Sequence, residues 1–429
     1  MKEITMSYGR QGLRVRLDDD WQLQVIRKPV LPALAEPART LEATLDMPVA
    51  APPLAQLAAA ARRVCIVICD ITRPVPNGII LPALVRRLLA AGVPPDAITV
   101  LIATGLHRPN EGAELAAVVG DETVLRAVRV VNHFARRDEE HVTLGMTTRG
   151  TPVRLDRRLV EADLRIVVGL VEPHFMAGFS GGRKLLAPGV AHADTITSFH
   201  HARLLEHPRA TNLVLEGNPL HDELLQIAAL AGPVYAVNVA LDEARHPTLL
   251  NFGDLLASHA AAVAHVRQSA EQRLSRTYDV ALTSAAGHPL DLTYYQAVKG
   301  MASALGALRP GGTLFIVSAC TEGLGSAEFR DAQRRLVRGG PAAFLAHLLA
   351  MPRAPVDAWQ TEMLCKALQH ADVRLFSTGL SEADWPDTGV RRVVNLDREL
   401  AVAVAATRDH ALAVLPEGPY VIPTPPQAG

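Results

Sequence analysis

Three short polar stretches hold the residue types that move protons and bind carboxylates: DITRP at 70–74, TGLHRP at 104–109 and EPH at 172–174. Asp70, Thr72 and Arg73 lie in the first, Gly105, His107 and Arg108 in the second, and Glu172 and His174 in the third. Imidazole titrates near neutral pH, so His107 and His174 are suited to take or give a proton on either side of a substrate. The guanidinium fork of Arg73 matches a carboxylate in a two-point contact. A fourth stretch, FSGGRKLLAPG at 179–189, joins glycines that let backbone approach an anion to Lys184, which could neutralise that anion or act as a nucleophile. It is neither G-x-x-x-x-G-K-[ST] nor G-x-G-x-x-G, so the usual nucleotide readings lose support. In GHPLDLTYYQAVKGM, Gln296 and Lys299 stand three apart after a helix start at Asp291, able to reach one ligand. His192, His200 and His201 suggest a metal site by count, but no H-E-x-x-H or Cys-His spacing supports it. Taken singly, each residue has a plain alternative. Asp70 could cap a helix, Arg73 could be a solvated charge, a loop histidine is more often structural, and Gln296 and Lys299 could mark an exposed helical face.

The elements that must position these residues are legible from apolar runs. Residues 64–69 read as a strand, IILPALVRRLLAAG as a helix and AITVLIATG as a second strand, the alternation that predicts a parallel sheet. VRVVNHF at 128–134 and LRIVVGLV at 164–171 add two strands. A second set begins at Tyr278 with YDVALTSA, a helix over 291–308, TLFIVSA, a helix around Trp359–His370 and VRLFST. The expected fold is α/β, with two α/β domains of mostly parallel sheets and the active site in the interdomain cleft. The N-terminal domain is expected over 1–270 and carries the catalytic histidines and any cofactor. Residues 265–277 are the connector, 275–407 form a smaller C-terminal domain with substrate-orienting residues, and 408–429 pack back on the first domain. Carboxyl ends of parallel strands share one edge, so the three polar stretches should converge.

The chain has 429 residues, 49% hydrophobic and 20% charged, which describes a folded protein of more than one domain. With 43 basic and 44 acidic residues it has no electrostatic footprint for nucleic acid or an anionic membrane. Cys65 and Cys69 fall on one face of the run RRVCIVICD and read as core thiols. MKEITMSYGRQGL lacks the apolar segment of a signal peptide, and no run is long enough to span a membrane, so the cytoplasm is the expected location.

DITRP, GLHRP, EPHFMAGFSGGRKLLAPG, a histidine sixteen positions after Lys184 and YYQAVKG occur together and in this order. As a set, they resemble the lactate racemase family of the nickel-pincer type, with its wider group of 2-hydroxy acid racemases and epimerases. The resemblance runs from about residue 64 to Trp359. It implies a nickel pincer nucleotide, a pyridinium mononucleotide whose two sulfur-bearing arms hold nickel through sulfur, carbon and sulfur. It also implies cofactor-synthesising enzymes as partners. By the same resemblance Lys184 joins one arm as a thioamide, and His200 supplies the remaining nickel ligand. Soft sulfur donors in a square plane suit nickel. His107 and His174 match the two bases of a proton-coupled hydride transfer, and Arg73 the carboxylate-binding position. Gln296 and Lys299 match substrate-orienting positions, Trp359 a residue lining the site, and Asp70, Ile71, Thr72 and Arg73 a loop touching the cofactor.

Two readings of other kinds compete. A nicotinamide-dependent 2-hydroxy acid dehydrogenase should show a glycine-rich dinucleotide turn after its first strand, and DITRP has none. A non-catalytic pincer-binding protein has no need of the pair His107 and His174. The substrate's side chain is open: lactate, malate and sugar acids share the carboxylate and hydroxyl these residues would bind.

Overall fold

The computed structural model describes residues 1–426. It divides into two compact units: Val30–Phe199 with Arg209–Gln268, and Met1–Pro29 with His200–Pro208 and the chain from Ser269. The sheet of the first unit runs Pro247–Asp254, Tyr235–Leu241, Leu164–Leu170, Val64–Cys69, Ile98–Ala103, Arg129–Asn132. Every neighbouring pair is parallel except Pro247–Asp254 with Tyr235–Leu241. All six residues of VCIVIC are buried, because a parallel strand is covered on both faces and reads as an unbroken apolar run. Helix Asn77–Ala90 packs Ile80, Leu81, Leu84 and Leu88 into the cluster that contains Ile66, Ile68, Val100, Ile102, Ile166 and Val168. Each such side chain contributes about 1.5–3 kcal/mol on leaving water.

Strand order decides where chemistry can sit. Val64–Cys69 lies between Ile98–Ala103 and Leu164–Leu170, so the chain builds outward on one side and then crosses to the other. Ligand crevices form beyond the carboxyl ends at such a reversal, where the following loops part. The three loops that leave these adjacent strands are those holding Asp70, His107 and Glu172.

The second unit has its own parallel sheet, ordered Arg391–Arg392, Ala371–Phe376, Leu308–Val317, Tyr278–Ser284, Ala411–Leu415, Gln22–Val25. The antiparallel hairpin Lys2–Met6 and Leu13–Leu17 adds Met6, Val15 and Leu17 to a core with Val280, Leu282, Phe315, Leu412 and Val414.

Domain boundaries differ from expectation in three places. Met1–Pro29 and His200–Pro208 group with the second unit rather than with the rest of 1–270. The run ALAVL, expected to pack back on the first domain, is a fully buried strand of the second sheet. Residues 427–429 of that 408–429 segment lie outside the described residues. The expected connector is partly helix, Leu255–Ala270, and partly a strand, Glu271–Arg273, that pairs with Ile422–Thr424. Pairing between segments so distant in sequence satisfies backbone groups without leaving any local period to read.

Candidate functional site

In the first unit the loop after Val64–Cys69 folds around one buried carboxyl. One Asp70 oxygen accepts from the Thr72 amide at 3.2 Å and hydroxyl at 2.6 Å, and the other faces His107 Nδ1 at 2.7 Å. Burial pushes the Asp70 carboxyl up. The hydrogen bond and charge of His107, the Thr72 hydroxyl and the Arg73 guanidinium together outweigh it and hold Asp70 below the ordinary carboxylate range. Facing an ionised carboxylate, Nδ1 of His107 carries a proton, which leaves the Nε2 lone pair on the outer edge of a half-exposed ring. Asn110 ties this loop to its neighbours: its side-chain oxygen accepts from the Ile71 amide at 3.2 Å. Its own amide donates to Asn132 Oδ1 at 2.9 Å.

Arg73 Nη1 lies 3.4 Å from Glu172 Oε1, with both side chains mostly buried. Glu172 in turn is fixed by Ser180, whose amide donates to the Glu172 carbonyl at 2.9 Å and whose hydroxyl accepts from the Glu172 amide at 3.0 Å. Between them, Pro173–His174 pairs with Gly178–Phe179 as a short hairpin. At its tip His174 Nδ1 accepts from the amides of Met176 at 3.3 Å and Ala177 at 3.2 Å, and the ring stacks on Phe175.

The chain then turns at Gly181 and Gly182, both left-handed with φ of 75° and 50°. A Cβ at Gly181 would meet Val171 at 2.8 Å, and one at Gly182 would meet the His259 ring at 2.8 Å, so no other residue fits here. The turn places Lys184 half-buried in the 3-10 turn Gly182–Leu185 and sends Arg183 inward. Arg183 donates to His221 Nδ1 at 2.8 Å and to the carbonyls of Ala177 at 2.9 Å and Phe179 at 3.2 Å. Asp70, Thr72, Arg73, His107 and Glu172 thus form one connected network that reaches the Lys184 turn through Ser180. Arg108 pairs with Glu114 at 2.6 Å and 2.7 Å. Ile71 is exposed.

In the second unit His200 is buried and stacked on Trp359, with centroids 4.6 Å apart and planes at 30°. Trp359 Nε1 donates to the Tyr295 hydroxyl at 3.4 Å. Gln296 and Lys299 sit half-buried on helix Tyr294–Ala304, and the Gln296 Oε1 is buried with no hydrogen-bond partner among the described residues. An orphaned buried acceptor of this kind asks for a ligand donor. The helix expected to start at Asp291 starts at Tyr294, because Thr293 is extended and Asp291 accepts from the amides of Gly9 at 2.6 Å and Ala319 at 3.1 Å. Of the other histidines counted for metal, His201 is engaged at both nitrogens, by the Arg203 amide at 3.0 Å and the Met351 carbonyl at 2.8 Å. His192 accepts the Asp194 amide at 3.0 Å in the first unit. Among the described residues no group of three or more His, Cys, Asp or Glu is arranged to hold a metal ion.

Sequence reasoning missed Arg183 with His221 and His259, and Tyr295 beside Trp359.

Comparisons with known proteins agree along the whole chain. Residues 8–212 match the lactate racemase N-terminal domain, and residues 274–422 the lactate racemase C-terminal domain. Lactate racemase of Lactiplantibacillus plantarum is 31% identical over 440 residues, covering 98% of this chain and 100% of that protein. Lactate racemase of Thermoanaerobacterium thermosaccharolyticum is 28% identical over 427 residues, covering 98% and 99%. The structure of the apoprotein from that second organism superposes with a TM-score of 0.90 over 98% of this chain and 100% of that one. A Thermotoga maritima protein, at 18% identity and a TM-score of 0.68, shares the fold. Two matched domains, two full-length relatives and the same architecture lead to one conclusion: the chain belongs to the lactate racemase family.

Proposed function

We propose that this 2-hydroxy acid racemase works by proton-coupled hydride transfer, with a nickel pincer nucleotide tethered at Lys184 and ligated through His200. The observation that carries the reading is Lys184 itself, held after a Gly-Gly turn that is linked through Ser180 to Glu172 and so to Arg73. The residues fit such a group. An amine is presented for acylation, a buried imidazole lies against an aromatic face, and the remaining metal donors must come with the organic part, since nickel favours soft sulfur. When bound, the cofactor supplies a site that takes the C2 hydride and returns it to either face. Asp70, Ile71, Thr72 and Arg73 form the loop that touches it.

The protein's own residues do the rest. Arg73, steadied by Glu172, holds the substrate carboxylate in a two-point contact. Gln296 offers its unpartnered acceptor to the substrate, Lys299 adds a positive charge, and Trp359 lines the site. His107 exchanges the hydroxyl proton through Nε2 with one enantiomer and His174 with the other, passing through a transient 2-keto acid. Lactate is the first substrate to test, followed by larger and more polar 2-hydroxy acids. Enzymes that build the cofactor are the expected partners. Four buried free thiols suit the reducing cytoplasm, and no helix among the described residues is long and apolar enough to cross a membrane.

The test is intact mass, metal content and racemisation of protein made with the cofactor-building enzymes. Lys184→Ala should lose the covalent adduct and all racemisation. His200→Ala should keep adduct while holding nickel poorly. Active protein with an unmodified mass overturns the reading.

A further inference from the structure

The two histidines meet opposite chemistry at Nδ1. His107 Nδ1 faces the Asp70 carboxylate at 2.7 Å, an acceptor that needs a proton on the ring. His174 Nδ1 faces the amides of Met176 and Ala177, two donors that need a lone pair there. Adding a proton to His107 keeps its bond to Asp70 and strengthens it with charge. Protonating His174 at both nitrogens points an N–H at two other N–H groups and breaks both bonds.

We propose that Asp70 is the positioning residue of His107 and makes the pair unequal: between turnovers His107 holds the proton that the two share, and His174 is neutral. Two charges near the pair act in the same direction. Arg73 lies behind Asp70 and is itself paired with Glu172, the charged neighbour on the His174 segment. Arg183 donates to the Ala177 carbonyl at 2.9 Å, placing a positive charge behind the His174 hairpin. The proposal rests on the functional reading above for its consequence. Net racemisation puts the hydroxyl proton on one histidine and returns one from the other, so the working enzyme carries one proton on the pair. Neutral His174 bonded to the two amides keeps its proton on Nε2, and it accepts the hydroxyl proton there only after that proton has moved to Nδ1 and the amides have let go. The equilibrium constant between enantiomers is one, which makes kcat/KM equal in the two directions. The inequality must therefore appear in the pH limbs: activity falls on the acid side when His174 also protonates and on the alkaline side when His107 loses its proton.

The experiment is a nitrogen-15 NMR titration of histidine-labelled full-length apoprotein, with His107→Gln and His174→Gln assigning the signals. We expect His107 to titrate above His174. Asp70→Asn should lower the His107 midpoint by about 1–2 pH units and leave His174 in place. Thr72→Val, which strips a donor from Asp70 but keeps the carboxylate, should raise the His107 midpoint slightly. In loaded enzyme Asp70→Asn should move only the alkaline limb, to lower pH. Coincident or reversed midpoints in the parent chain overturn the proposal, as does an unmoved His107 in Asp70→Asn; if that variant does not fold, the order of the parent midpoints decides. A loaded protein that shows unequal histidines but racemises nothing sinks the functional reading and leaves this one standing.

Discussion

The turn that presents Lys184 and the segment that begins at His200 are both anchored by buried charge, and the charges are opposite in sign. Under the first, Arg183 is wholly buried, bonded to two carbonyls and an imidazole, with no carboxylate partner among the described residues. Burial draws it down to about 9, so it remains a cation at neutral pH. Around the second, Glu362 bonds Glu206, and burial with that second carboxyl pushes Glu362 up to about 9. Lys366 clips the same segment, donating to the Leu205 carbonyl and standing 3.8 Å from Glu206. Two segments are thus anchored by two different routes. A buried cation without an anion leaves positive potential beneath a glycine turn, which suits a phosphate. A carboxyl pair sharing one proton holds its segment while adding less charge to it.

The largest effect should come from removing the cation. Arg183→Met removes the donor to the Ala177 and Phe179 carbonyls and should cost about 2–4 kcal/mol in urea unfolding, at about 1–3 kcal/mol for each buried acceptor left without its donor. A loss below about 1 kcal/mol would mean the guanidinium is not the anchor. Next come the pH profiles, which should slope in opposite directions. His221 and His259 are held down to about 4 and about 3, by burial first and then by Arg183. They are neutral in the fold and protonate first in the unfolded chain, so stability is complete above about 6.5 and falls as pH drops toward those values. Glu362 is raised, so its contribution is complete below about 4.5 and is lost as pH rises toward about 9. Each group accounts for at most about 1.4 kcal/mol per pH unit. Thermal melts across pH should show Glu362→Gln flattening the alkaline slope alone and His221→Gln easing the acid slope alone. A Glu362→Gln profile identical to the parent breaks the shared-proton account. The smallest effect is at the aromatic face: if His200 ligates nickel as proposed, Trp359→Leu should weaken the seating of His200 by about 0.5–1.5 kcal/mol, read as roughly 2- to 10-fold faster nickel loss from loaded protein.

Much of this was legible in sequence. The strands at 64–69, 98–103 and 164–170 and the helix over Asn77–Ala90 stand where their apolar runs put them. The convergence of DITRP, TGLHRP and EPH followed from the rule that parallel strands share a carboxyl edge. The assignment of Met1–Pro29 failed because Gln22–Val25 is too short and exposed to carry a pattern, and it becomes a strand only by pairing with Ala411–Leu415. Asp70 was open to reading as a helix cap, but the N-cap of the next helix is Pro76 and the Asp70 carboxyl serves Thr72 and His107.

By itself the sequence determined which groups are present, their order and the strands that carry them, because apolar period and turn residues act over a few positions. The tertiary structure alone decided what each group faces. Asp70 reaches His107 across 37 residues, and Arg183 lies beside His259 across 76. No local period encodes such pairings, and in a buried, weakly polar setting it is the facing donor or acceptor that sets where a proton resides.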